Sequence, residues 1–180
     1  MTTANQITLV RIVMIPVFLV LLLCESIPYH MWIAAVWFAV AAFTDGLDGH
    51  IARSRNQITT FGKFADPLAD KLLISAAVIG FVEIFELPSW IAFVIIAREF
   101  IVTGLRLIAI SDGKVIAASM VGKVKTVVQI VAILLCMVID SSIQVWDIAL
   151  TTWLMGIAAV VTVYSGICYL VQNRGLLHMK

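Results

Sequence analysis

The sequence predicts an all-α integral membrane protein, a single domain of six transmembrane helices over residues 1–180, with both termini in the cytoplasm. Three observations carry that reading. Hydrophobic residues make up 62% of the chain and charged residues 13%, with a mean hydropathy of +1.08, far outside the range of a soluble domain. Six apolar stretches, near residues 6–24, 31–50, 67–85, 89–110, 117–139 and 146–171, each approach the roughly 20 residues that cross a hydrocarbon core of about 30 Å. If these helices alternate, every Lys and Arg falls at or toward one side, while the opposite loops hold only Glu25, Glu83, Glu86, Asp140 and Asp147. The positive-inside rule makes the basic side cytoplasmic.

The first stretch lacks a basic n-region, and no small-residue cleavage site follows Leu23 and Cys24, so it reads as a retained helix and not a signal peptide. Asn5, Thr8 and Arg11 recur at three-residue steps and form a polar stripe at its cytoplasmic start; Asn5 serves equally well as an N-cap. The second and fourth stretches begin near Trp32 and Trp90, and the sixth near Trp146, as an interfacial aromatic belt requires. Cys24, Cys136 and Cys168 are an odd set in or beside apolar helices and read as free packing thiols. His30 is expected on the outer side, His178 in the tail, and His50 as a bystander beside the acids.

The second and third stretches carry the costliest charges. Asp45 and Asp48 are three residues apart, Asp66 and Asp70 four apart, which places each pair on one helix face. If all four converged, each like-charged pair at roughly 6 Å and an effective dielectric of about 20 would cost about 3 kcal/mol, an upper bound of roughly 17 kcal/mol over six pairs. Two divalent cations would cancel that charge. An all-carboxylate set without Cys or paired His suits hard ions such as Mg²⁺ or Mn²⁺, which often bind through carboxylates and substrate phosphates, and argues against zinc. Gly49 leaves room for a flat ligand group against the helix backbone. Arg53, near the membrane surface, is placed either to grip a phosphate or to anchor the helix, as Arg55 does.

On the fourth stretch Arg98 lies deep in an apolar helix, where ionisable groups face a bundle interior or a wet cavity. Glu99, Thr103 and Arg106 share a face, with Arg98 to one side, and Lys123 and Lys125 enter on the fifth stretch. Glu99 pairing with Arg106 or Lys123 would explain part of this as bundle structure. One carboxylate does not satisfy four cations, so the remainder point to a phosphate held by Arg98, Arg106 and Lys123. Lys125 is the weaker candidate, because residues two apart on a helix point different ways.

Asp45, Asp48, Gly49, Ala52, Arg53, Gly62, Asp66 and Asp70 fit D-x2-D-G-x2-A-R-x8-G-x3-D-x3-D without a gap, and this resembles the signature of the CDP-alcohol phosphotransferases. The segments NQITLVR, AREFIVTGLR and GKVKT extend the likeness over nearly the whole chain, toward the bacterial branch whose acceptor is glycerol 3-phosphate. One departure is Ala4, where relatives commonly carry proline.

The resemblance implies a CDP-alcohol phosphotransferase-like bundle of six membrane helices in the bacterial cytoplasmic membrane, commonly a homodimer, with its active site open to the cytoplasm and no nucleic-acid partner. It implies two metals, Mg²⁺ or Mn²⁺, held by Asp45, Asp48 and Asp66, with Asp70 as ligand or general base. Asp48, Gly49, Ala52, Arg53 and Gly62 would then belong to the CDP-binding part, and Arg98, Arg106, Lys123 and Lys125 to the acceptor's phosphate. The implied substrates are CDP-diacylglycerol and glycerol 3-phosphate, the products phosphatidylglycerophosphate and CMP. Inositol phosphate and phosphatidylglycerol are competing acceptors. A divalent-cation carrier is the competing class, weakened because the acids cluster toward one membrane face with no ionisable relay beyond them.

Overall fold

A computed structural model describes residues 3–54, 60–111, 119–139, 143–145 and 148–174. Side chains are described for these except 3–8, 45–54, 60–67, 70, 110 and 111. Six helices occur among the described residues, in two compact units.

The first unit, residues 1–84, contains α1 (Thr3–Leu23), α2 (His30–Ser54) and α3 (Thr60–Ile84). The turn between α1 and α2 holds Pro28 and then Tyr29 at φ 58°, a left-handed conformation that stops the chain from continuing as helix. Helix α1 packs on both α2 and α3. Phe18 and Phe38 meet at 5.5 Å between ring centroids, tilted by 49°, and both are fully buried. The Trp37 indole donates to the Met14 carbonyl at 3.0 Å, which ties α2 to α1 through a group an apolar bundle would otherwise leave unsatisfied. On α3, Gly80 allows close approach: a Cβ there would lie 2.6 Å from Leu22 Cδ2. The missing side chain is what seats the fully buried Leu22 of α1 against α3.

The second unit, residues 85–180, contains α4 (Ser89–Ser111), α5 (Met120–Val138), the two-residue strands β1 (Gln144–Val145) and β2 (Ile148–Ala149), and α6 (Leu150–Gln172). Helix α6 packs on both α4 and α5. Ile91, Ile95, Ile133, Met155 and Ala158 fill its apolar core. Helices α5 and α6 are each long and apolar enough to cross a membrane. Along α1 and α2 the corresponding apolar runs, Leu9–Leu23 and His30–Thr44, are shorter.

The helices cover the apolar stretches, with α2 running on to Ser54 and α3 starting at Thr60, seven residues ahead of its apolar stretch, and three further differences have local causes. Asn5 is the third residue of α1, so it does not occupy the cap position. Helix α5 starts at Met120 and not 117, because Ser119 caps it, its Oγ accepting from the Gly122 amide at 3.1 Å. Helix α6 starts at Leu150 and not 146, because β1 and β2 pair antiparallel just before it, Gln144 opposite Ala149 and Val145 opposite Ile148. The Leu150 amide donates to Ile143 O at 2.9 Å and the Trp153 indole to Val145 O at 3.2 Å, fastening this hairpin to the helix.

Trp32 and Trp90 stand near the starts of α2 and α4 and are exposed, as an interfacial role requires; Trp146 lies outside the described residues. His30 accompanies them at the start of α2, its Nδ1 3.2 Å from Leu22 O, while His50 and His178 have no described side chain. The three cysteines are free thiols, with Cys136 buried 3.7 Å from the Thr151 carbonyl.

Candidate active site

The aspartate pairs fall on regular helix. Asp45 and Asp48 lie toward the end of α2, with Gly49, Ala52 and Arg53 following; Gly62, Asp66 and Asp70 lie toward the start of α3. Helical backbone at these positions preserves the three- and four-residue register that sets each pair along one face. Their side chains, and the ligand and CDP-binding roles expected of them, lie outside the described side chains. Asn5 and Thr8 do so too, whereas Arg11, the third member of their stripe, is buried.

The second unit places its charged residues in detail. Arg98 is the tenth residue of α4, about 14 Å along a helix rising 1.5 Å per residue. Glu99 is buried against Lys125 of α5, whose ammonium is itself completely buried and donates to Glu99 Oε1. The same carboxylate oxygen accepts from Arg98 Nη1 at 3.4 Å. Arg98 Nη2 donates to Ser165 Oγ on α6 at 2.7 Å. One ionic cluster therefore joins all three helices of the unit. It differs from the sequence expectation in Glu99's partner, which is Lys125 together with Arg98 and not Arg106 or Lys123. The reason is rotational: Lys125 faces inward on α5 and is met by Glu99, while Lys123, two residues earlier, is exposed.

Arg106, two turns beyond Arg98 on α4, is half-buried and lies within electrostatic reach of it. Its Nε is buried without a hydrogen-bond partner among the described residues, as is Nε of Arg98. Guanidinium groups partly withdrawn from water, and not saturated by protein acceptors, suit a bidentate oxyanion. Thr103, between Glu99 and Arg106, is half-buried.

Sequence reasoning passed over the α6 side of this cluster. Thr162, Ser165, Gly166 and Tyr169 are all buried and recur at helical spacing. A Cβ on Gly166 would lie 3.1 Å from Arg98 Cγ, so the arginine stem crosses α6 where it has no side chain. The available signal was Thr162, Ser165 and Gly166 interrupting the apolar run TVYSGICYL. Gln129 of α5, four residues beyond Lys125, is another buried polar side chain, and neither of its amide atoms has a hydrogen-bond partner among the described residues.

The family model for CDP-alcohol phosphatidyltransferase matches residues 1–164. A Bacillus subtilis CDP-diacylglycerol–glycerol-3-phosphate 3-phosphatidyltransferase is 42% identical over 180 residues, covering 94% of this chain and 93% of the relative. A probable phosphatidylglycerophosphate synthase of Mycobacterium tuberculosis is 41% identical over 172 residues, covering 94% of this chain and 80% of the relative. The Escherichia coli K12 CDP-diacylglycerol–glycerol-3-phosphate 3-phosphatidyltransferase is 38% identical over 172 residues, covering 93% of this chain and 92% of the relative. A match across most of the chain, taking in the aspartate-bearing helices and the cationic cluster alike, leaves one conclusion: this chain belongs to the CDP-alcohol phosphatidyltransferase family.

Proposed function

We propose that the protein transfers a phosphatidyl group from CDP-diacylglycerol to glycerol 3-phosphate, giving phosphatidylglycerophosphate and CMP, as a step of anionic phospholipid synthesis. The observation that carries this reading is the near full-length similarity to relatives named for that reaction, at 42% identity in the Bacillus subtilis case. The cationic cluster of the second unit supports it, since a phosphorylated polyol needs such groups and serine, choline or free inositol does not.

The sn-1 hydroxyl of glycerol 3-phosphate attacks the β-phosphorus of the donor. A phosphorus–oxygen bond forms to the acceptor, the bond to the bridging oxygen breaks, and CMP leaves with that oxygen. Asp70 is assigned as the base that takes the hydroxyl proton. Arg98, Arg106 and Lys123 bind the acceptor's phosphate, which does not react, so their work is positioning. Asp48, Gly49, Ala52, Arg53 and Gly62 are assigned to the CDP moiety. Four carboxylates at helical register with no sulfur or imidazole among them form a donor set that fits Mg²⁺ or Mn²⁺, with Asp45, Asp48 and Asp66 as ligands and Asp70 shared. When bound, two such ions neutralise the diphosphate and stabilise the attacking and leaving oxygens.

We assign all six helices to the membrane, with termini and active site toward the cytoplasm of a bacterial inner membrane, and the protein to a homodimer. Outward-facing Val10, Val13, Val17 and Val20 on α1, and Val160, Val163, Ile167 and Val171 on α6, support lipid contact at these faces.

Purified protein with CDP-diacylglycerol and Mg²⁺ or Mn²⁺ tests the reading through CMP release. Glycerol 3-phosphate is expected to drive turnover. Release that depends instead on inositol phosphate or phosphatidylglycerol would overturn the acceptor assignment, and no release with any acceptor would overturn the activity.

A further inference from the structure

We infer that Ser165 and Gly166 of α6, with the Lys125–Glu99 pair behind them, are positioning residues that hold the Arg98 guanidinium in place for the acceptor's phosphate. The inference rests on the proposed reaction for its substrate, but its geometry lies wholly within the second unit.

An arginine side chain has several free torsions and five N–H donors, and left alone in an apolar bundle it samples many poses. Here three helices restrict it. Nη2 donates to Ser165 Oγ at 2.7 Å, and Nη1 meets Glu99 Oε1 at 3.4 Å. Glu99 is the next residue on the same helix, and consecutive helical side chains diverge by about 100°. The same carboxylate oxygen is held by Lys125, which is fully buried. The stem of Arg98 crosses α6 at Gly166, where a Cβ would lie 3.1 Å from Cγ and 3.9 Å from Nε.

The consequence is a division of labour among the cations. Lys125 is engaged with Glu99 in the interior, so its role is to anchor the carboxylate and not to touch the substrate. Arg98 uses one N–H of each terminal nitrogen on protein acceptors, while 14% of its side chain remains exposed. Those remaining donors, with the like charge of Arg106 nearby, face an incoming oxyanion. Sequence alone ranked Lys125 among the phosphate ligands; the burial of its ammonium is what reassigns it.

Because the acceptor's phosphate does not react, loosening Arg98 weakens binding of ground state and transition state together, which raises KM and leaves kcat. Ser165→Ala removes one hydrogen bond to a charged group without adding volume, and the acceptor KM is expected to rise about tenfold. The CDP-diacylglycerol KM and kcat should each stay near the wild-type value, and the loss of one hydrogen bond to a charged group should lower the unfolding temperature in detergent by no more than about 3–6 °C. Gly166→Ala displaces the arginine stem by another route and is expected to give the same split. A second arm uses inorganic phosphate as the probe: its stabilisation of the purified protein against heat should need about tenfold more phosphate in Ser165→Ala than in the wild type.

An unchanged acceptor KM and an unchanged phosphate titration in Ser165→Ala would overturn the inference. So would a variant in which kcat falls and the donor KM rises together with a larger fall in unfolding temperature, since that marks a merely structural serine. Wild-type protein that ignores glycerol 3-phosphate, yet shows phosphate stabilisation weakened by Ser165→Ala, would overturn the proposed acceptor and keep the positioning role.

Discussion

Lys125→Met tests the ionic cluster most directly, because it removes the ammonium and keeps an unbranched chain of similar reach in the same cavity. Lys125 and Glu99 have side-chain exposures of 0% and 1%, so the pair has almost no water to fall back on. Removing one partner of a buried pair costs about 3–5 kcal/mol, since the other charge is left behind. Arg98 Nη1 remains 3.4 Å from Glu99 Oε1, at the long limit of a hydrogen bond, and offsets only part of the loss. A destabilisation of about 3 kcal/mol is therefore expected, which for a chain of this length is a fall of roughly 6–12 °C in unfolding temperature. The assay is thermal or SDS-induced unfolding in detergent. Adding Glu99→Gln removes the stranded charge, and the double variant should recover to within about 1.5 kcal/mol of the wild type, a coupling that independent sites do not show. Unfolding of Lys125→Met at the wild-type temperature, or strictly additive losses in the double variant, would refute the reasoning.

Three other outcomes are expected. Gly80→Val forces branched carbon into the space where a Cβ already lies 2.6 Å from Leu22 Cδ2, and should destabilise the protein by about 3 kcal/mol in the same unfolding assay; wild-type stability would remove Gly80 from the α1–α3 contact. Asp66→Asn should reduce CMP release at least about 10³-fold without moving the unfolding temperature, and EDTA should abolish wild-type release until Mg²⁺ or Mn²⁺ is restored. Near-normal turnover in either case counts against the carboxylate metal site. Arg106→Ala should raise the KM for glycerol 3-phosphate about 10- to 100-fold and leave that for CDP-diacylglycerol; an unchanged acceptor KM would make Arg106 a structural residue.

Helix positions were legible in the sequence because apolar runs of this length have few alternatives in a chain of mean hydropathy +1.08. The β1–β2 hairpin was not, since two-residue strands carry no periodicity and Val145 and Ile148 read as a continuation of apolar helix. The aspartate pairs announced themselves through charge and spacing. The cationic cluster was half legible: helical rotation separated Lys123 from Lys125, but nothing local says which of the two turns inward. That depends on α5 meeting α6 and α4 meeting α6, contacts between residues as distant as Arg98 and Ser165. Gly166 was legible only as a break in an apolar run; its role was not, because a glycine in an apolar helix acquires meaning only from what crosses it.

The buried cluster also bears on how the chain enters a bilayer. By length and composition α5 and α6 each suffice to cross a membrane, and the paired strands β1 and β2 lie between them in the chain. Helix α4 does not share that independence, since Arg98 and Glu99 near its middle each disfavour insertion by about 2.5–3.5 kcal/mol when placed in lipid alone. Their partners, Lys125 and Ser165, are synthesised 26 and 67 residues after Glu99 and Arg98. If α4 spans a membrane, its stable residence there is a property of the three-helix unit, reached only once α6 has left the ribosome, and loss of the Glu99–Lys125 pair would surface as failed biogenesis before it surfaced as failed catalysis.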